Sequence, residues 1–401
     1  MESLIIRCGI SFEENKPKHC EVIKMSICVK PFDVNNVDNK PLAIYGANAC
    51  AEMSINAIRH LDKFDISIVI DKMYRKKEFC GVKVVSIGNV ENISDYNILI
   101  CASGNFWNIA NNLYDMGVKT VYQALPLFDV IKVRDESIFD TKGKYQNAVL
   151  QNKELAIYNL SIVITEKCSL KCKYCTEFMP YIKNAVSEFS VEKCKKNVDK
   201  ILEVVNGLES ITILGGEAFV NPKWEQILEL FLNDNRIKKV SILTNGTVIP
   251  KSYEIMQNNK FTLEIDDYGK RGKTEKVREW AESHNIKNIV YKHEHWFDVS
   301  DCSYIDESEQ DICDKFQLCQ IKGCWSIVDK YLFRCPTAYY RLKYMLGKNI
   351  DEYNDFINLE LMSSNEIENK IRELIDIPYI EACHFCKGTN ENNMIDVAEQ
   401  I

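Results

Sequence analysis

Three cysteines within eight residues are the feature of this chain that most narrows its fold and its chemistry. Cys168, Cys172 and Cys175 lie in the stretch ITEKCSLKCKYCTEF, residues 164–178, separated by three residues and then by two. A structural zinc site is usually closed by four protein ligands, which come from paired short loops. This run offers three cysteines, and no fourth ligand lies nearby. A 4Fe–4S cube needs one outer ligand for each of its four irons. Three cysteines would leave one iron open, and an open metal position is typical of catalysis.

The composition is that of an ordinary globular chain with two or three domains. It has 401 residues, 46% hydrophobic and 27% charged, with a net charge of −8. Without a dense basic run, we expect no nucleic-acid partner. The start, MESLIIRCGI, lacks the basic region before an apolar run that a secretory signal has. The apolar runs of the chain are too short to span a bilayer. We therefore expect a cytoplasmic protein without a membrane partner. In such a chain, 17 cysteines indicate metal or redox chemistry rather than disulfides.

The first segment, residues 1–135, alternates strand and helix patterns, which predicts a doubly wound, Rossmann-like parallel sheet. In KPLAIYGANAC a strand runs into Gly46, but Asn48 and Ala51 occupy the places of the further glycines in a dinucleotide fingerprint. Asp71 ends the second strand, where a ribose-binding acid could lie. The order of elements resembles the Rossmann-like domains attached to sugar acyltransferases and some methyltransferases. We favour a structural or substrate-docking domain without a bound dinucleotide over a nucleotide-binding one.

A second α/β domain is predicted over residues 156–300, after a connector at 136–155. The strand patterns LSIVIT, SITILGG, KVSILTNG, FTLEIDD and NIVYKHE alternate with helices. The clearest helix begins after Ser190 and carries Val205 just before Gly207. This alternation predicts an open sheet or a partial barrel. Sites in barrels lie at the C-terminal ends of the strands, and the first cysteine cluster directly follows the first strand.

Three motifs in this domain together resemble the radical S-adenosylmethionine (SAM) enzyme superfamily. CSLKCKYC has the Cys-x3-Cys-x-aromatic-Cys spacing of that family. ILGGEAFVNP at 213–222 matches its GGE motif at the end of the second strand, and LTNGT at 243–247 matches the usual end of the third. The resemblance covers roughly residues 156–300 and implies a partial (βα)6 barrel.

The resemblance implies a 4Fe–4S cluster at the first cysteine group. Cys168, Cys172 and Cys175 would ligate three irons, and the amino and carboxylate groups of SAM would chelate the fourth. Tyr174 matches the aromatic position that lies near the adenine. One electron, from a donor of the flavodoxin or ferredoxin type, would cleave SAM to a 5′-deoxyadenosyl radical that takes a hydrogen atom from the substrate.

Further residues match positions that would hold SAM itself. Gly215 and Gly216 lack side chains, so the backbone could approach the methionine moiety closely. Glu217 is a carboxylate suited to the ammonium group of the cofactor. Glu264 or Asp266 on the fourth strand could bind the ribose, although acids at strand ends are often simply solvated.

The third segment, residues 301–401, carries a second group of cysteines. CQIKGCWSIVDKYLFRCP is followed, 47 residues later, by CHFC. This arrangement resembles the twitch and SPASM extensions, which hold auxiliary iron–sulfur clusters, and it suits one 4Fe–4S cluster of the twitch type. A zinc ribbon is the alternative. Cys319 and Cys324 compete for the fourth ligand position, and the other cysteine would donate a hydrogen atom or simply pack. The five candidate ligands are Cys319, Cys324, Cys335, Cys383 and Cys386.

A polar stretch follows the fifth strand and should face the same mouth of the barrel. In HEHWFD, His293, His295, Trp296 and Asp298 are candidates for substrate contact or proton relay, with an ordinary polar strand end as the alternative. Tyr268 in IDDYG has the same two interpretations.

The resemblance leaves the reaction open. An auxiliary cluster could accept the electron of a substrate radical, giving oxidation, or a cysteine could quench the radical from the opposite face, giving epimerisation. Twitch-type relatives carry out both reactions on sugar-like substrates. Peptide-modifying enzymes often have a winged-helix domain, whereas the first segment of this chain is predicted to be doubly wound. We therefore expect a small sugar, nucleotide-sugar or aminocyclitol substrate. A peptide maturase remains an alternative, and a non-catalytic iron–sulfur scaffold would need neither Glu217 nor the adjacent glycines.

Overall fold

Two large sheets, each with its own buried apolar core, organise the chain. The computed structural model describes residues 27–401 except 36, 72, 73, 75, 103–105, 131–135, 151–154, 270–272, 320, 323 and 390. The opening stretch MESLIIRCGI therefore lies outside the described residues.

The first sheet is parallel apart from one edge pair. Its strands are β1 Cys28–Pro31, β2 Leu42–Tyr45, β3 Ile66–Ile70, β4 Glu78–Phe79, β5 Val82–Val85, β6 Asn97–Ile100 and β7 Thr120–Gln123. They lie in the order β1-β7-β6-β2-β3-β5-β4, and only the pairing of β4 with β5 is antiparallel among these described strands. Helices α1 Ala49–Leu61 and α2 Phe106–Asp115 connect them. The parallel, doubly wound pattern expected from the sequence is confirmed.

The loop after β2 is held closed by its own side chains. Gly46 has φ +109°, and a Cβ there would come within 3.1 Å of Asn48 Nδ2 and 3.3 Å of the Ala102 nitrogen. Asn48 caps α1 and donates to the Cys101 carbonyl at 3.2 Å. Asp71 accepts from the Ala47 nitrogen at 2.9 Å. These contacts hold Asp71, the predicted ribose-binding acid, against the backbone of the loop. That the domain binds no dinucleotide stays a prediction.

The predicted connector is largely helical. Helix α3, Glu136–Val149, packs into the first core through Tyr145, whose hydroxyl donates to the Ile100 carbonyl and accepts from the Ala124 nitrogen. Near its end, the Asn147 amide bonds both ways with the backbone of Ala156, at 2.8 and 2.9 Å. The helix therefore ties the first sheet to the start of the second.

The second sheet contains eight strands. They are β8 Leu155–Val163, β9 Val205–Leu214, β10 Ile237–Thr244, β11 Phe261–Asp267, β12 Asn288–Lys292, β14 Trp325–Val328, β15 Tyr331–Arg334 and β16 Phe356–Asn358. A small antiparallel pair joins β13, Trp296–Phe297, to β17, Met394–Ile395. The helices of this part are α4 Val191–Leu202, α5 Trp224–Leu232, α6 Thr274–Ser283, α7 Glu309–Leu318, α8 Pro336–Tyr340 and α9 Ser364–Asp376.

An open barrel results from the strand order β12-β11-β10-β9-β8-β14-β15-β16. Five parallel strands, β8 to β12, follow one another as the predicted partial barrel requires. Beyond β8 the sheet continues into the cysteine-rich segment, because β14 pairs with β8 in parallel. In the described part of the chain, no helix is both long and apolar enough to cross a lipid bilayer.

One helix boundary differs from the sequence prediction. Ser190 caps α4 as predicted, accepting from the Lys193 nitrogen at 3.2 Å. The helix ends at Leu202, however, and Val205 begins β9. Gly207 lies inside that strand with φ +74°, where a Cβ would come within 2.7 Å of the Arg236 carbonyl oxygen. The prediction that the helix extends to Gly207 is therefore wrong, because that glycine serves a close strand approach.

Candidate active site

The three clustered cysteines line one cavity together with the ends of the neighbouring strands. This cluster cavity has a volume of about 920 Å³, and its walls include Cys168, Cys172, Cys175, Gly215 and Gly216. The cysteine loop follows β8 and the glycines follow β9. Because the carboxyl ends of parallel strands meet at one edge of the sheet, residues 47 positions apart come together there.

The glycine pair is required by the loop that carries the cysteines. A Cβ at Gly215 would lie 2.7 Å from the Thr165 carbonyl oxygen, and one at Gly216 would lie 2.5 Å from that of Lys167. The Gly216 nitrogen donates to the Thr165 carbonyl at 3.1 Å. The sequence predicted these glycines from the approach of a cofactor. The structure adds a second reason, since the cysteine loop rests directly on them.

The thiols of the cluster cavity receive hydrogen bonds from the surrounding loop. Cys168 Sγ accepts from Asn245 Nδ2 and from the Leu170 nitrogen, each at 3.4 Å. Burial raises the pKa of Cys168 to about 11 and that of Cys175 to about 12. Both groups are therefore thiols near neutral pH, and binding of a metal cluster would have to displace their protons.

Glu217 lies one layer behind the cavity wall. Its side chain is 1% exposed and accepts from the Thr244 hydroxyl at 2.9 Å, the Asn245 nitrogen at 2.9 Å and the Phe219 nitrogen at 3.2 Å. Burial raises the pKa of Glu217 to about 7. The carboxylate thus fastens the end of β10 to the end of β9, and Thr244 and Asn245 form the wall in front of it. Its contact with the SAM ammonium stays a prediction.

Glu264 and Asp266, the two candidates for ribose binding, line different cavities. Asp266 borders the cluster cavity with Tyr268 and Trp296, whereas Glu264 borders a second cavity. Tyr268 donates its hydroxyl to Asp266 Oδ2 at 2.9 Å, and His293 Nε2 lies 2.9 Å from Asp266 Oδ1. Asp266, Tyr268 and His293 form one hydrogen-bonded group at the mouth of the site.

His295 and Asp298, the other polar residues of the predicted stretch, contact residues two positions further along the chain. His295 packs edge-on against Phe297, with ring centroids 5.4 Å apart. Asp298 accepts from the Ser300 nitrogen at 3.0 Å. Tyr174 is half-buried, and Lys173 Nζ lies 4.7 Å from the centre of its ring.

A second cavity of about 1230 Å³ lies between the strands of the barrel and Phe128, Asp129 and Lys142 of the preceding segment, and it is called the lumen. Ser210 donates to Asn159 Oδ1 at 2.6 Å, and Ser241 donates to Thr212 Oγ1 at 3.1 Å. Three residues, Ser161, Leu214 and Cys324, line both the lumen and the cluster cavity, so the two spaces adjoin. Hydroxyl, amide and carboxyl side chains from four strands line this space: Asn159, Ser161, Ser210, Thr212, Ser241, Thr262 and Glu264.

A third cavity, of about 430 Å³, gathers four cysteines of the C-terminal segment and is called the auxiliary cavity. Cys319, Cys335, Cys383 and Cys386 line it, while Cys324 lies instead at the border of the other two cavities. Among the described residues, no three His, Cys, Asp or Glu side chains converge on a single ion. The thiols surround a volume, an arrangement that suits a cluster better than one zinc ion.

Several residues that the sequence analysis did not single out support these sites. Arg341 is buried at the auxiliary cavity and donates to the Val299 carbonyl at 2.6 Å. Asp355 accepts from the Glu381 nitrogen at 2.9 Å and caps the turn that carries Cys383. Asn245 belongs to the LTNGT motif, so the motif could have identified it as a site residue. Arg341 and Asp355 carry no comparable signal in the sequence.

Comparison with known families agrees with this geometry. Residues 162–298 match the model of the Radical SAM superfamily. That stretch includes Cys168, Cys172, Cys175 and both later strand-end motifs. This part of the chain is a radical SAM domain, and the family predicted from the sequence is confirmed. Radical SAM proteins use a 4Fe–4S cluster and SAM, and the three thiols and paired glycines at one cavity fit that pair of groups.

Curated relatives match over limited stretches. The antilisterial bacteriocin subtilosin biosynthesis protein AlbA of Bacillus subtilis (strain 168) is 36% identical over 98 residues, which are 24% of this chain and 20% of AlbA. A GTP 3′,8-cyclase of Synechocystis sp. is 27% identical over 111 residues, 27% of this chain and 33% of the cyclase. The radical SAM cyclopropyl synthase TigE of Paramaledivibacter caminithermalis is 30% identical over 116 residues, 24% of each chain. The chain thus spans a fifth to a third of the length of these relatives.

Solved structures give distant likenesses. anSMEcpe with bound AdoMet has a TM-score of 0.38 at 16% identity, covering 57% of this chain and 88% of its own. BtrN in complex with AdoMet and 2-DOIA has a TM-score of 0.39 at 12% identity, covering 61% and 96%. SuiB of Streptococcus suis has a TM-score of 0.30 at 15% identity, covering 52% and 47%. These scores do not bear on the substrate.

Proposed function

We propose that this protein is a radical SAM enzyme that epimerises a carbon of a hydroxyl-bearing small molecule, such as a sugar or nucleotide sugar. The observation that carries the proposal is the position of Cys324 at the border between the cluster cavity and the polar lumen. A substrate in the lumen would have the cluster site on one side and a thiol close by. Hydroxyl and amide side chains around it would satisfy the hydroxyl groups of a sugar.

The residues of the cluster cavity would hold the cofactors. Cys168, Cys172 and Cys175 would ligate three irons of the SAM-binding cluster. Tyr174, in the same loop but not on the wall of the cavity, would lie near the adenine. When bound, the cluster and SAM supply a 5′-deoxyadenosyl radical, with an electron from a flavodoxin- or ferredoxin-type donor. Asp266 at the same cavity is the better of the two candidates for the ribose, because Glu264 borders the lumen.

Cys324 would complete the reaction by donating a hydrogen atom. Once a substrate C–H bond has been broken from one face, the Cys324 S–H bond breaks and a new C–H bond forms on the opposite face. The resulting thiyl radical then takes up one proton from solvent and one electron from the flavodoxin- or ferredoxin-type donor to restore the thiol. Cys324 is 4% exposed, so its radical would be shielded from solvent during this step.

The auxiliary cavity would hold a second 4Fe–4S cluster. The fourth ligand, beside Cys335, Cys383 and Cys386, would be Cys319. This choice is supported by the lining of the cavity, which includes Cys319 but not Cys324. Such a cluster favours a second candidate function, oxidation, since it could accept the electron of the substrate radical. Glu264, which lines the lumen, would then take the hydroxyl proton.

Product analysis in D₂O distinguishes these reactions. Reduced, reconstituted protein would be incubated anaerobically with SAM and, in separate arms, sugars, nucleotide sugars and short peptides. Epimerisation predicts substrate-dependent 5′-deoxyadenosine and one solvent deuterium in the product, because thiol hydrogens exchange with solvent. Cys324→Ala should still form 5′-deoxyadenosine but lose the deuterated epimer, whereas Cys313→Ala, on α7, should behave as wild type.

Three results would overturn parts of this proposal. A product two electrons more oxidised, without solvent deuterium, would replace epimerisation with oxidation. Stimulation by peptides alone would assign a peptide substrate, in keeping with the name of the relative AlbA. A Cys324→Ala variant that still forms the deuterated epimer would remove Cys324 from the mechanism.

A further inference from the structure

A short segment near residue 400 pairs with the loop that carries the cluster cysteines. In this strap, residues 398–401, the Glu399 carbonyl accepts from the Lys173 nitrogen at 2.7 Å, and the Ile401 nitrogen donates to the Lys171 carbonyl at 3.0 Å. Cys172 and Gln400 form an antiparallel β-bridge between these two bonds. The strap thus holds the backbone on both sides of one predicted iron ligand.

The side chain of Gln400 is oriented toward the sulfur of Cys172. Its Oε1 accepts from the Lys171 nitrogen at 2.8 Å. Its Nε2 donates to the Ala398 carbonyl at 2.7 Å and to Cys172 Sγ at 3.2 Å. The donor at Lys171 and the acceptor at Ala398 together fix which end of the amide is nitrogen. An N–H group of Gln400 therefore points at a thiol that is 7% exposed.

The strap is anchored at both the cavity rim and the auxiliary site. It follows β17, which pairs with β13 next to Trp296 on the wall of the cluster cavity. Asn393, just before β17, donates to the Gly388 carbonyl at 2.8 Å, two residues after Cys386. The strap therefore continues a segment already packed against both sites, which fixes Gln400 relative to Cys172.

We propose that Gln400 is a positioning residue that sets the reduction potential of the SAM-binding cluster. When Cys172 ligates iron as a thiolate, the amide N–H bonds a sulfur whose negative charge increases on reduction. Hydrogen bonds to sulfur are among the factors that set the potentials of iron–sulfur clusters. The bond is stronger in the reduced state, so Gln400 makes the cluster easier for its electron donor to reduce.

Two nearly isosteric substitutions test this role. Gln400→Glu keeps an acceptor for the Lys171 nitrogen but removes the donor, and Gln400→Met removes both. Glu399→Gln is the matched control, because it leaves the strap backbone unchanged and alters only an exposed side chain that lies 3.4 Å from Lys173 Nζ. Each holoprotein would be titrated anaerobically by EPR, following the cluster signal that changes when SAM is added. Iron would be counted in every sample.

Both Gln400 variants should show a more negative midpoint potential. The expected change is about tenfold in the reduction equilibrium, about 59 mV for a one-electron couple. Glu399→Gln should not shift in that direction. Unchanged potentials in both Gln400 variants would overturn the proposal. It would also be overturned if both variants lost the SAM-responsive cluster but kept the auxiliary one, because the strap would then serve to retain the cluster and not to set its potential. The inference rests on the radical SAM site, and a wild-type protein without any SAM-responsive signal would overturn that site first.

Discussion

Glu217 shows how a single side chain connects burial to cofactor binding. Three donors face its two oxygens, an arrangement that suits the ionised carboxylate, yet burial raises its pKa to about 7. At neutral pH the group is therefore poised between its two protonation states. A nearby ammonium group would favour the charged form.

The affinity for SAM should depend on pH through this residue. Below pH 7 Glu217 is protonated in the free protein and must lose its proton to accept a hydrogen bond from the amino group of SAM. The wild-type affinity should therefore fall more steeply below pH 7 than that of Glu217→Gln, by about a further tenfold for each pH unit. Anaerobic equilibrium dialysis with labelled SAM between pH 5.5 and 8.5 measures this profile. Glu217→Gln should bind more weakly than wild type above pH 7, and a wild-type profile parallel to that of this variant would show that Glu217 does not contact the amino group of SAM.

The sequence predicts some of these residues well and others not at all. Cys168, Cys172, Cys175 and Gly216 stand at fixed spacings in local motifs, and local spacing is visible in one chain. Gln400 lies 228 residues from the sulfur it contacts, so only the folded chain brings the two together. The choice between Cys319 and Cys324 is equally hidden, because a short turn sends their side chains into different cavities.

At the scale of elements, the glycine turn after β9 supports the whole cysteine loop. A Cβ at Gly216 would lie 2.5 Å from the Lys167 carbonyl oxygen and 2.8 Å from Cys168 Cβ. Neither atom is the end of a flexible side chain, so the loop itself would have to move.

Gly216→Ala should therefore displace the cysteine loop and empty its cluster. We expect iron to fall from about eight to about four atoms per chain and stability to drop by about 1–3 kcal/mol. Gly143→Ala is the control, because nothing lies within 4 Å of a Cβ at that position in α3. Iron analysis and thermal unfolding measure both effects. A Gly216→Ala variant with full iron content would show that the turn tolerates a side chain.

Local sequence patterns predict that a helix or strand is present better than they predict where it ends. Apolar spacing predicted α4 and its cap at Ser190, but it continued without a break into β9. Gly207 looked like the end of a helix because glycine commonly ends helices. Its actual role depends on the Arg236 carbonyl in a neighbouring segment, which the local pattern does not contain.

At the scale of the whole molecule, an ionic group joins the first domain to the barrel. Asp129 accepts from the Tyr158 hydroxyl at 2.8 Å and pairs with Lys239, and it lies 3.7 Å from the buried Lys142. Tyr158 and Lys239 belong to β8 and β10. The sequence predicts both α/β units from their alternation, whereas this junction needs residues far apart in the chain.

Asp129→Ala should weaken this junction, because it removes the carboxylate that lies 3.7 Å from the buried Lys142. We expect a loss of about 1–3 kcal/mol, less than for a fully buried pair because Asp129 is 39% exposed. Thermal unfolding should show a lower or split transition. Asp115→Asn, at an exposed position on α2, is the control. An unchanged transition for Asp129→Ala would mean that apolar packing alone joins the two units.

Radical SAM chemistry in this protein is measured by the formation of 5′-deoxyadenosine. Reduced, reconstituted wild-type protein should convert SAM to 5′-deoxyadenosine and methionine under anaerobic conditions. Alanine variants of Cys168, Cys172 and Cys175 should form none. Cys194→Ala, in the buried core of α4, should retain the activity. Wild-type protein that carries its iron but forms no 5′-deoxyadenosine, with either dithionite or a flavodoxin as reductant, would contradict the assignment of radical SAM chemistry.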